Sequence, residues 1–470
     1  MRRTIHLITL AVLIGLFVGS TVSFAYETDF HGYLESRAIG RDTNGVQYGF
    51  MDHMFGVQWI QELQLDLEVR PSYEQGQPLV RFEKAFFRYR GAYDAIFDTS
   101  NQYNEVRDEA NSRFEPGKRQ LRWDQDLREC FADLVAENKY GDKRANLRLG
   151  KQIVMWGESD GFNLMNIVNP SDYYNKAFFS NPEDLAAPLW MARFDGSLPG
   201  SGFVNSFNLQ LLAIPEFRPA TFGPYLAPYQ LGAPYVDDTD GSWGGDNWEF
   251  GARVGATMAS TNVYLHYFNG KQDGPAVDIS TLADGYLTLS HPDSDSYGFS
   301  FNHFVGTGNF IFRGEGSFTT DKSFTDYEDP AGRGYTLHDF YQVLIAIDKS
   351  FSAPPIGTNS ALSTSFQIYY SHVDGYSQDD MLRPAPEDTW RATLLLSTDY
   401  LHGSISPNIF VLYDSEDAWL ISPGVTYSPD AKWYFTVSMA TVWGDKDGHG
   451  DYNPYIGSSG EVALKVGYKW

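Results

Sequence analysis

The last ten residues, Glu461-Val462-Ala463-Leu464-Lys465-Val466-Gly467-Tyr468-Lys469-Trp470, alternate between apolar and mostly polar or small side chains. The even positions carry Val, Leu, Val, Tyr and Trp, and the odd positions carry Glu, Ala, Lys, Gly and Lys. An alternation with a period of two over about ten residues is typical of a strand that faces lipid on one side. The end of the chain therefore predicts a transmembrane β-barrel.

The N-terminus has the layout of a cleavable secretory signal. Arg2 and Arg3 precede an apolar stretch from Leu7 to Val18, and Ser23-Phe24-Ala25 follows it. Small residues at positions 23 and 25 fit the site that a signal peptidase reads, so we expect cleavage after Ala25. The predicted domains are a signal peptide of residues 1–25 and one barrel of residues 26–470. The apolar stretch is short for a membrane-spanning helix.

Composition points to the same class of protein. The chain contains 33 Phe, 30 Tyr and 11 Trp, which suits a barrel with aromatic girdles at two membrane interfaces. The formal net charge of −25 argues against a nucleic-acid partner, because a phosphate backbone requires a basic surface. The single cysteine, Cys130, excludes an intramolecular disulfide and a cysteine-based zinc site. These features agree with an exported all-β membrane protein. We expect the barrel assembly machinery to insert it, with Trp470 as the assembly signal.

Strand-like runs recur along the chain with alternately short and long connections. From residue 260 onward, we expect the short connections at the periplasmic end of the barrel and the long acidic ones outside. The count comes to about eighteen strands, with sixteen as an alternative, since a closed single-chain barrel requires an even number. Asp126–Glu137 also fits helical spacing. We interpret it as a strand because Lys139–Arg144 then forms a tight turn into the next strand.

The polar face of each strand predicts what lines the lumen. In Trp59–Val69 the apolar side chains define the lipid face, so Glu62 and Asp66 face inward. Such charges can steer a permeant or cross-link the inner wall. Polar and apolar residues share a parity in Arg81–Arg90, which predicts either a bulge or an incorrectly assigned register there. The other candidate inward residues are Asp133, Glu137, Arg148, Gln152, Arg313 and Glu315.

Residues 156–187 interrupt the strand series and are too apolar around Phe162–Val168 for a hydrated outer loop. Asn169-Pro170-Ser171-Asp172 and Asn181-Pro182-Glu183-Asp184 each resemble the first turn of a helix. We expect two short helical turns and a segment that folds into the barrel as a plug or constriction. The alternative is an ordered loop packed over the mouth. The candidate constriction residues in and beside this segment are Glu158, Asp172, Asp184 and Arg193, with Trp156 at the rim.

Two enzymatic interpretations are weak. Gly157-Glu158-Ser159-Asp160-Gly161 matches the G-x-S-x-G pattern of serine hydrolases, but that motif requires a strand-to-helix turn on a mostly parallel sheet. A barrel phospholipase would need a serine beside a histidine on the outer wall. Ser300 and His303 have opposite parity and therefore lie on different faces. The sequence predicts no enzyme.

Acidic outer loops offer a weak candidate metal site. Asp445, Asp447 and Asp451 have the spacing of a calcium loop, although Ile456 stands at the twelfth loop position, where a glutamate is expected. A second acidic cluster spans Asp237–Asp246. A structural calcium ion at the outer loops and a simple hydrated acidic loop both remain open, and no other cofactor is expected.

Arg148-Leu149-Gly150-Lys151-Gln152 followed by Trp156-Gly157-Glu158-Ser159 resembles the RLGRQ…WGES signature of an uncharacterised proteobacterial family of outer-membrane proteins. The stretch from Pro182 to Arg193 is also similar to that family, whereas Lys151 replaces the usual arginine. The resemblance implies a barrel, more loosely similar to alginate-export and porin-type barrels. It also implies a periplasmic carrier and an inner-membrane pump as partners.

The sequence thus predicts a Gram-negative outer-membrane channel that contacts lipid and lipopolysaccharide and passes a small or lipid-like solute. The alternative is a non-conducting structural or surface-binding barrel whose acidic loops bind calcium.

Overall fold

The computed structural model describes residues 25–44, 56–72, 79–95, 123–141, 143–160, 162, 164–172, 182–220, 235–237, 243–326, 332–352, 361–376, 386–415, 417–444 and 458–470. Eighteen strands form one antiparallel sheet. The sheet is closed, because the first strand pairs with both the second and the last. The predicted barrel and its strand number are confirmed, and the sixteen-strand alternative is wrong.

The wall strands follow one another around the barrel in chain order. They are β1 (Ala25–Asn44), β2 (Gly56–Ser72), β3 (Val80–Asp94), β4 (Trp123–Glu137), β5 (Arg144–Gln152), β6 (Leu189–Pro199), β7 (Ser206–Ile214), β9 (Glu249–Met258), β10 (Thr261–Lys271), β13 (Asp293–Val305), β14 (Phe310–Thr325), β15 (Tyr335–Ser352), β16 (Ala361–Val373), β17 (Asp388–Ser397), β18 (Ile405–Asp414), β19 (Ala418–Tyr427), β20 (Trp433–Trp443) and β21 (Ser458–Lys469). The segment interpreted as a strand rather than a helix is β4.

Outside the wall, two connections that we expected as loops contain further structure. The short strands β8 (Tyr235–Asp237), β11 (Ala276–Asp278) and β12 (Leu287–Ser290) form a separate three-stranded sheet. In the described part of the chain, one helical turn, α1 (Pro182–Leu185), and two 3-10 turns at Gly245–Asn247 and Leu282–Asp284 complete the elements. Among the described residues, no helix has the length and hydropathy needed to cross a membrane.

The alternation that decided the fold is visible in the last strand. Leu464 is 51% exposed on the outer face of β21, whereas Ala463 is 2% exposed on its inner face. The strand ends at the seam, where Gly32 and Trp470 exchange backbone hydrogen bonds of 3.3 and 3.2 Å. The final aromatic residue thereby takes part in closing the barrel.

The short connections lie at the end of the barrel that contains the C-terminus. In one of them the Asp430 carboxylate accepts backbone hydrogen bonds from Lys432 and Trp433, at 2.7 and 2.8 Å, and these lower the pKa of Asp430. The expected length difference between the two ends has an exception. β18 and β19 are joined at the outer end by Ser415–Asp417 alone, so our expectation of a uniformly long outer set is wrong at this connection.

The bulge expected in the third strand is confirmed. The register between β3 and β4 shifts between Phe82 and Lys84 and again between Arg88 and Tyr89. Each shift changes whether the odd-numbered or the even-numbered residues of a strand face the lumen. Polar side chains at both odd and even positions therefore point inward.

Only one of the two predicted helical turns is present among the described residues. α1 forms at Pro182, as expected. The prediction of a helical turn at Asn169 is wrong, because Ser171 instead pairs with Ala186 as an isolated antiparallel bridge. The Asn169 side chain has other hydrogen-bond partners, described below.

Gly150 in β5 adopts a backbone conformation that other residues rarely reach, with φ of +137°. A Cβ added at this position would lie 2.1 Å from the Cys130 carbonyl oxygen. We expect Gly150→Ala to destabilise the barrel by about 2 kcal/mol or more, because both the backbone conformation and the contact are unfavourable. The midpoint of urea unfolding in detergent micelles measures this. Gly40→Ala is the control, since no atom lies within 4 Å of its added Cβ, and equal midpoints for the two variants would contradict the prediction.

Candidate constriction in the barrel lumen

The inserted segment, residues 156–187, begins where β5 ends and continues into the barrel. Trp156 is 2% exposed, and its indole nitrogen donates to Gln210 on β7 at 2.5 Å. The ring packs against His266 and Phe268 on β10, with centroid distances of 5.6 and 6.4 Å. The residue expected at the rim therefore lies inside, against the inner face of the wall.

A carboxylate on β14 fixes the backbone of the inserted segment. Glu315 is completely buried, and its two oxygens accept hydrogen bonds from the backbone N–H groups of Glu158 and Met165, both at 2.6 Å. The Glu158 side chain accepts a further bond from Asn302 on β13 at 2.9 Å. Both the side chain and the backbone of the candidate residue Glu158 are thus bonded to the inner wall.

Arg313, next to Glu315 on the inner face of β14, forms the second attachment. Its guanidinium pairs with Asp160 of the segment at 2.6 Å, with Asp348 on β15 at 2.9 Å, and with the Glu158 carbonyl. Gln367 on β16 also donates to Asp160 at 2.5 Å. Residues 158–160 are therefore bonded directly to β13, β14 and β16, and indirectly to β15 through Arg313.

Among the described residues of the segment, Phe162 reaches farthest around the wall from β5, and we call it the tip. Its ring packs edge-on against Tyr369, with a centroid distance of 4.8 Å, and under the Arg391 guanidinium at 4.9 Å. It also contacts an apolar cluster on β18, β19 and β20 formed by Leu412, Leu420 and Val442. The segment thus runs from β5 to the opposite side of the lumen. Its described residues lie inside the barrel rather than over its mouth.

Two asparagines connect the part of the segment before the tip, which we call the outgoing arm, with the part after it, whose described residues are 164–172 and 182–187 and which we call the returning arm. The side-chain oxygen of Asn166 accepts from the backbone of Trp156 and Gly157, at 2.9 and 2.6 Å. Asn169 accepts from Val154 at 2.7 Å and donates to the carbonyls of Gln152 and Ala187, at 3.3 and 2.9 Å. These amide groups satisfy buried backbone atoms that have no strand beside them.

Farther along the returning arm, the segment is attached to β3 and β4. Asp184 pairs with Arg90 on β3 at 3.1 Å, and Arg128 on β4 donates to the carbonyls of Asp184 and Ala186, at 3.2 and 2.9 Å. Arg128 follows the register shift in β4, so regular alternation did not predict that it faces inward. A bulge is the one sequence signal that could have identified it.

The other candidate residues on β2, β4 and β5 form paired charges on the inner wall. Glu62 accepts from Tyr33 at 2.5 Å and from Arg37, and Asp66 binds Arg88 at 2.9 Å. The remaining pairs are Asp133 with Arg148 at 2.7 Å and Glu137 with Arg81 at 2.9 Å. We call the inner faces of β1–β5 the charged wall. Its acids and bases neutralise one another.

Three further candidates lie near the two ends of the segment. Gln152 is completely buried, Asp172 lies 3.8 Å from Arg218, and Arg193 pairs with Asp195 at 2.8 Å. The serine of the hydrolase-like motif, Ser159, exchanges hydrogen bonds with the Phe162 backbone and lies 3.2 Å from the Tyr369 hydroxyl. These contacts form a turn behind the tip and do not resemble a nucleophile elbow.

Metal binding at the outer loops stays a prediction. Asp445, Asp447 and Asp451 lie outside the described residues, as do the side chains of most of Asp237–Asp246. Within the described part of the chain, one group has ligand spacing: His372, Glu387 and Asp388, with ligand atoms within 4.8 Å of one another. His372 is half-buried and the two carboxylates are exposed, and a hydrogen bond of 2.9 Å between His372 and Asp388 accounts for the closeness of these two side chains.

The family described as "Protein of unknown function (DUF1302)" matches residues 61–470. The chain belongs to this family. The match includes Arg148–Gln152 and Trp156–Ser159, and it confirms the resemblance to an uncharacterised barrel family. No curated protein matches the sequence significantly.

Solved structures of outer-membrane porins have the same fold as this DUF1302 protein. The structure of Pseudomonas aeruginosa OpdK with vanillate is 11% identical and matches with a TM-score of 0.50, over 94% of this chain and 98% of that chain. The structure of Acinetobacter baumannii OccAB2 is 10% identical, with a TM-score of 0.51 and the same coverage. At such low identity, the similarity concerns the fold alone.

The Asn169 side chain makes three hydrogen bonds to buried backbone groups, so it should contribute strongly to the stability of the folded barrel. We expect Asn169→Ala to lower the free energy of unfolding by about 2 kcal/mol, because it leaves a buried N–H and two carbonyls without partners. Urea unfolding in detergent micelles measures the loss. Asn408→Ala, at an exposed inward position on β18, is the control and should leave the midpoint unchanged. A similar shift in both variants would argue against the role of Asn169.

Proposed function

We propose that the protein is an outer-membrane channel that passes a small solute through a lumen narrowed by the inserted segment. The observation that carries the proposal is the attachment of Glu158–Phe162 to the wall opposite β5. A segment held at both sides of a barrel reduces the open cross-section without closing the wall. Eighteen-stranded porins are wide enough to leave an aqueous passage, so a constriction is what sets their size limit.

The polarity of the attachments supports a fixed constriction over a freely moving loop. Glu315 provides two hydrogen bonds to the backbone of the segment, and Arg313 provides an ion pair and a hydrogen bond on the adjacent turn. Charge-assisted hydrogen bonds of this kind are stronger than neutral ones, especially away from bulk water. The segment therefore determines which solutes fit.

The remaining parts of the proposal concern location and partners. The predicted signal peptide and the porin-like fold favour the outer membrane of a Gram-negative bacterium, with assembly directed by Trp470. A periplasmic carrier and an inner-membrane pump are proposed partners on the ground of the family resemblance. A channel role needs no catalytic residue and no cofactor.

Replacing residues 162–186 with a short glycine–serine linker tests the channel proposal. We expect single-channel conductance in planar bilayers to rise about 2-fold or more, because the tip and the returning arm would no longer occupy the lumen. Heat-modifiable migration on a gel shows whether each protein has folded. Absence of conductance from both folded proteins would overturn the proposal and favour a structural or surface-binding barrel.

A milder change should loosen the constriction without removing it. We expect Arg313→Ala to increase current fluctuations and the frequency of larger conductance levels, because Asp160 and the Glu158 carbonyl lose their charged partner. The control is Arg88→Ala, which removes an arginine paired with Asp66 and Glu129 on the charged wall. Fluctuations that increase equally in both variants would mean that the effect comes from the wall in general.

A further inference from the structure

Three side chains with metal-ligating atoms lie together at the outer ends of β16 and β17. His372 has the parity of Ile368, which is 41% exposed on the lipid-facing side of β16. Asp388 has the parity of Trp390, which is 54% exposed on the lipid-facing side of β17. The register places His372 directly opposite Asp388, and Glu387 immediately precedes Asp388. His372 and Asp388 therefore point away from the lumen, and the group is separate from the constriction.

Aromatic side chains indicate the depth of this group relative to the membrane. Tyr370 and Trp390, each two residues farther into the wall, pack on the same outer face with a centroid distance of 4.6 Å. Outward aromatic residues near the ends of barrel strands form the girdle at the membrane interface. The Tyr370 hydroxyl also donates to Asp388 at 2.5 Å. His372 and Asp388 thus lie just above the girdle, at the level of the lipid headgroups, where water and ions reach them.

The ligand atoms are close to the spacing of a metal site. One ligand atom from each of His372, Glu387 and Asp388 lies within 4.8 Å of the other two. Ligand atoms around a tetrahedral zinc ion lie about 3.3 Å apart, and His372 Nδ1 is already 2.9 Å from Asp388 Oδ1. Glu387 is exposed, and its carboxylate has no hydrogen bond or ion pair with the described residues. Rotation of this side chain can therefore complete the site.

The charge of the group favours a cation. Among the described residues, the two carboxylates have one ion pair, between Asp388 and His372, and no lysine or arginine pairs with either of them. The lumen carboxylates of Asp66 and Asp133 differ in this respect, because each binds an arginine. Both side-chain bonds to Asp388 end on Oδ1, which leaves Oδ2 for a metal ion. Two acids beside one imidazole thus lack the positive charge that a divalent ion supplies.

We propose that His372, Glu387 and Asp388 bind a divalent transition-metal ion, represented by Zn²⁺, at the outer rim of the barrel. An imidazole nitrogen with two carboxylate oxygens suits zinc, whereas calcium takes oxygen ligands. The ion replaces the proton that His372 Nδ1 donates to Asp388, and it joins β16 to the outer connection that ends at Glu387. Three protein ligands leave one coordination position open towards the headgroup layer. Metal binding at this rim is independent of the proposed conductance.

Calorimetric titration of zinc chloride into the purified, chelator-treated barrel in detergent micelles tests the site. We expect His372→Ala to bind one Zn²⁺ fewer per chain than the wild type, because the nitrogen ligand is lost. The control is His303→Ala, which removes a half-buried, lipid-facing histidine near the periplasmic end of β13 and should bind as many ions as the wild type. Heat-modifiable migration on a gel verifies that each protein has folded. Absence of zinc binding by the wild type, or equal stoichiometry in all three proteins, would overturn the proposal.

The contribution of Glu387 distinguishes a three-ligand site from a simple pair of His372 and Asp388. We expect Glu387→Gln to weaken zinc binding about 10-fold or more, because a neutral amide replaces a charged ligand. The control is Asp374→Asn, which neutralises an exposed acid at the other end of the same outer connection and should leave the affinity unchanged. Wild-type affinity in Glu387→Gln, or displacement of zinc by an equal concentration of calcium, would show that these ligands are wrongly assigned.

Discussion

The requirement that every backbone N–H and C=O in a bilayer has a partner determines the rest of the structure. An open sheet edge within lipid would leave several such groups unpaired, at a cost of several kcal/mol each. The pairing of β1 with β21 removes both edges and turns eighteen strands into one closed wall. Closure also gives each strand an inner and an outer face. The apolar parity faces lipid, so Glu62, Asp66, Arg313 and Glu315 lie in the lumen.

A segment that enters the lumen has to meet the same requirement without a strand beside it. Here the barrel interior provides side chains in place of a ladder. Glu315 accepts from two N–H groups, Asn166 from two more, and Asn169 contacts one N–H and two carbonyls. These contacts explain why the segment contains both apolar residues and buried amides. The apolar residues fill space against the wall, while the amides satisfy the backbone.

The sequence predicted the features that depend on local periodicity. Alternation in Glu461–Trp470 and Trp59–Val69 is a direct consequence of a wall with lipid on one side, so strand faces could be assigned residue by residue. Features that depend on distant contacts could not be predicted in this way. Arg128 turns inward at a register shift, and the Asn169 side chain bonds to residues on both sides of it in the chain. The spacing of Asn169-Pro170 is compatible with a helix start, but its three buried partners favour the bridged conformation.

The paired charges of β1–β5 and the apolar contacts at the tip reflect one asymmetry of the inserted segment. Its backbone carbonyls at Asp184 and Ala186 accept from Arg128 where the segment rejoins the wall, and the Asp184 side chain pairs with Arg90 there. Buried arginines in turn need carboxylates close by, because an unpaired buried charge is strongly unfavourable. At the tip, Phe162 makes mainly aromatic and apolar contacts, with Tyr369 and with the cluster of Leu412, Leu420 and Val442. The segment thus crosses the lumen, held by Arg90 and Arg128 on one side and by the contacts of Phe162 on the other.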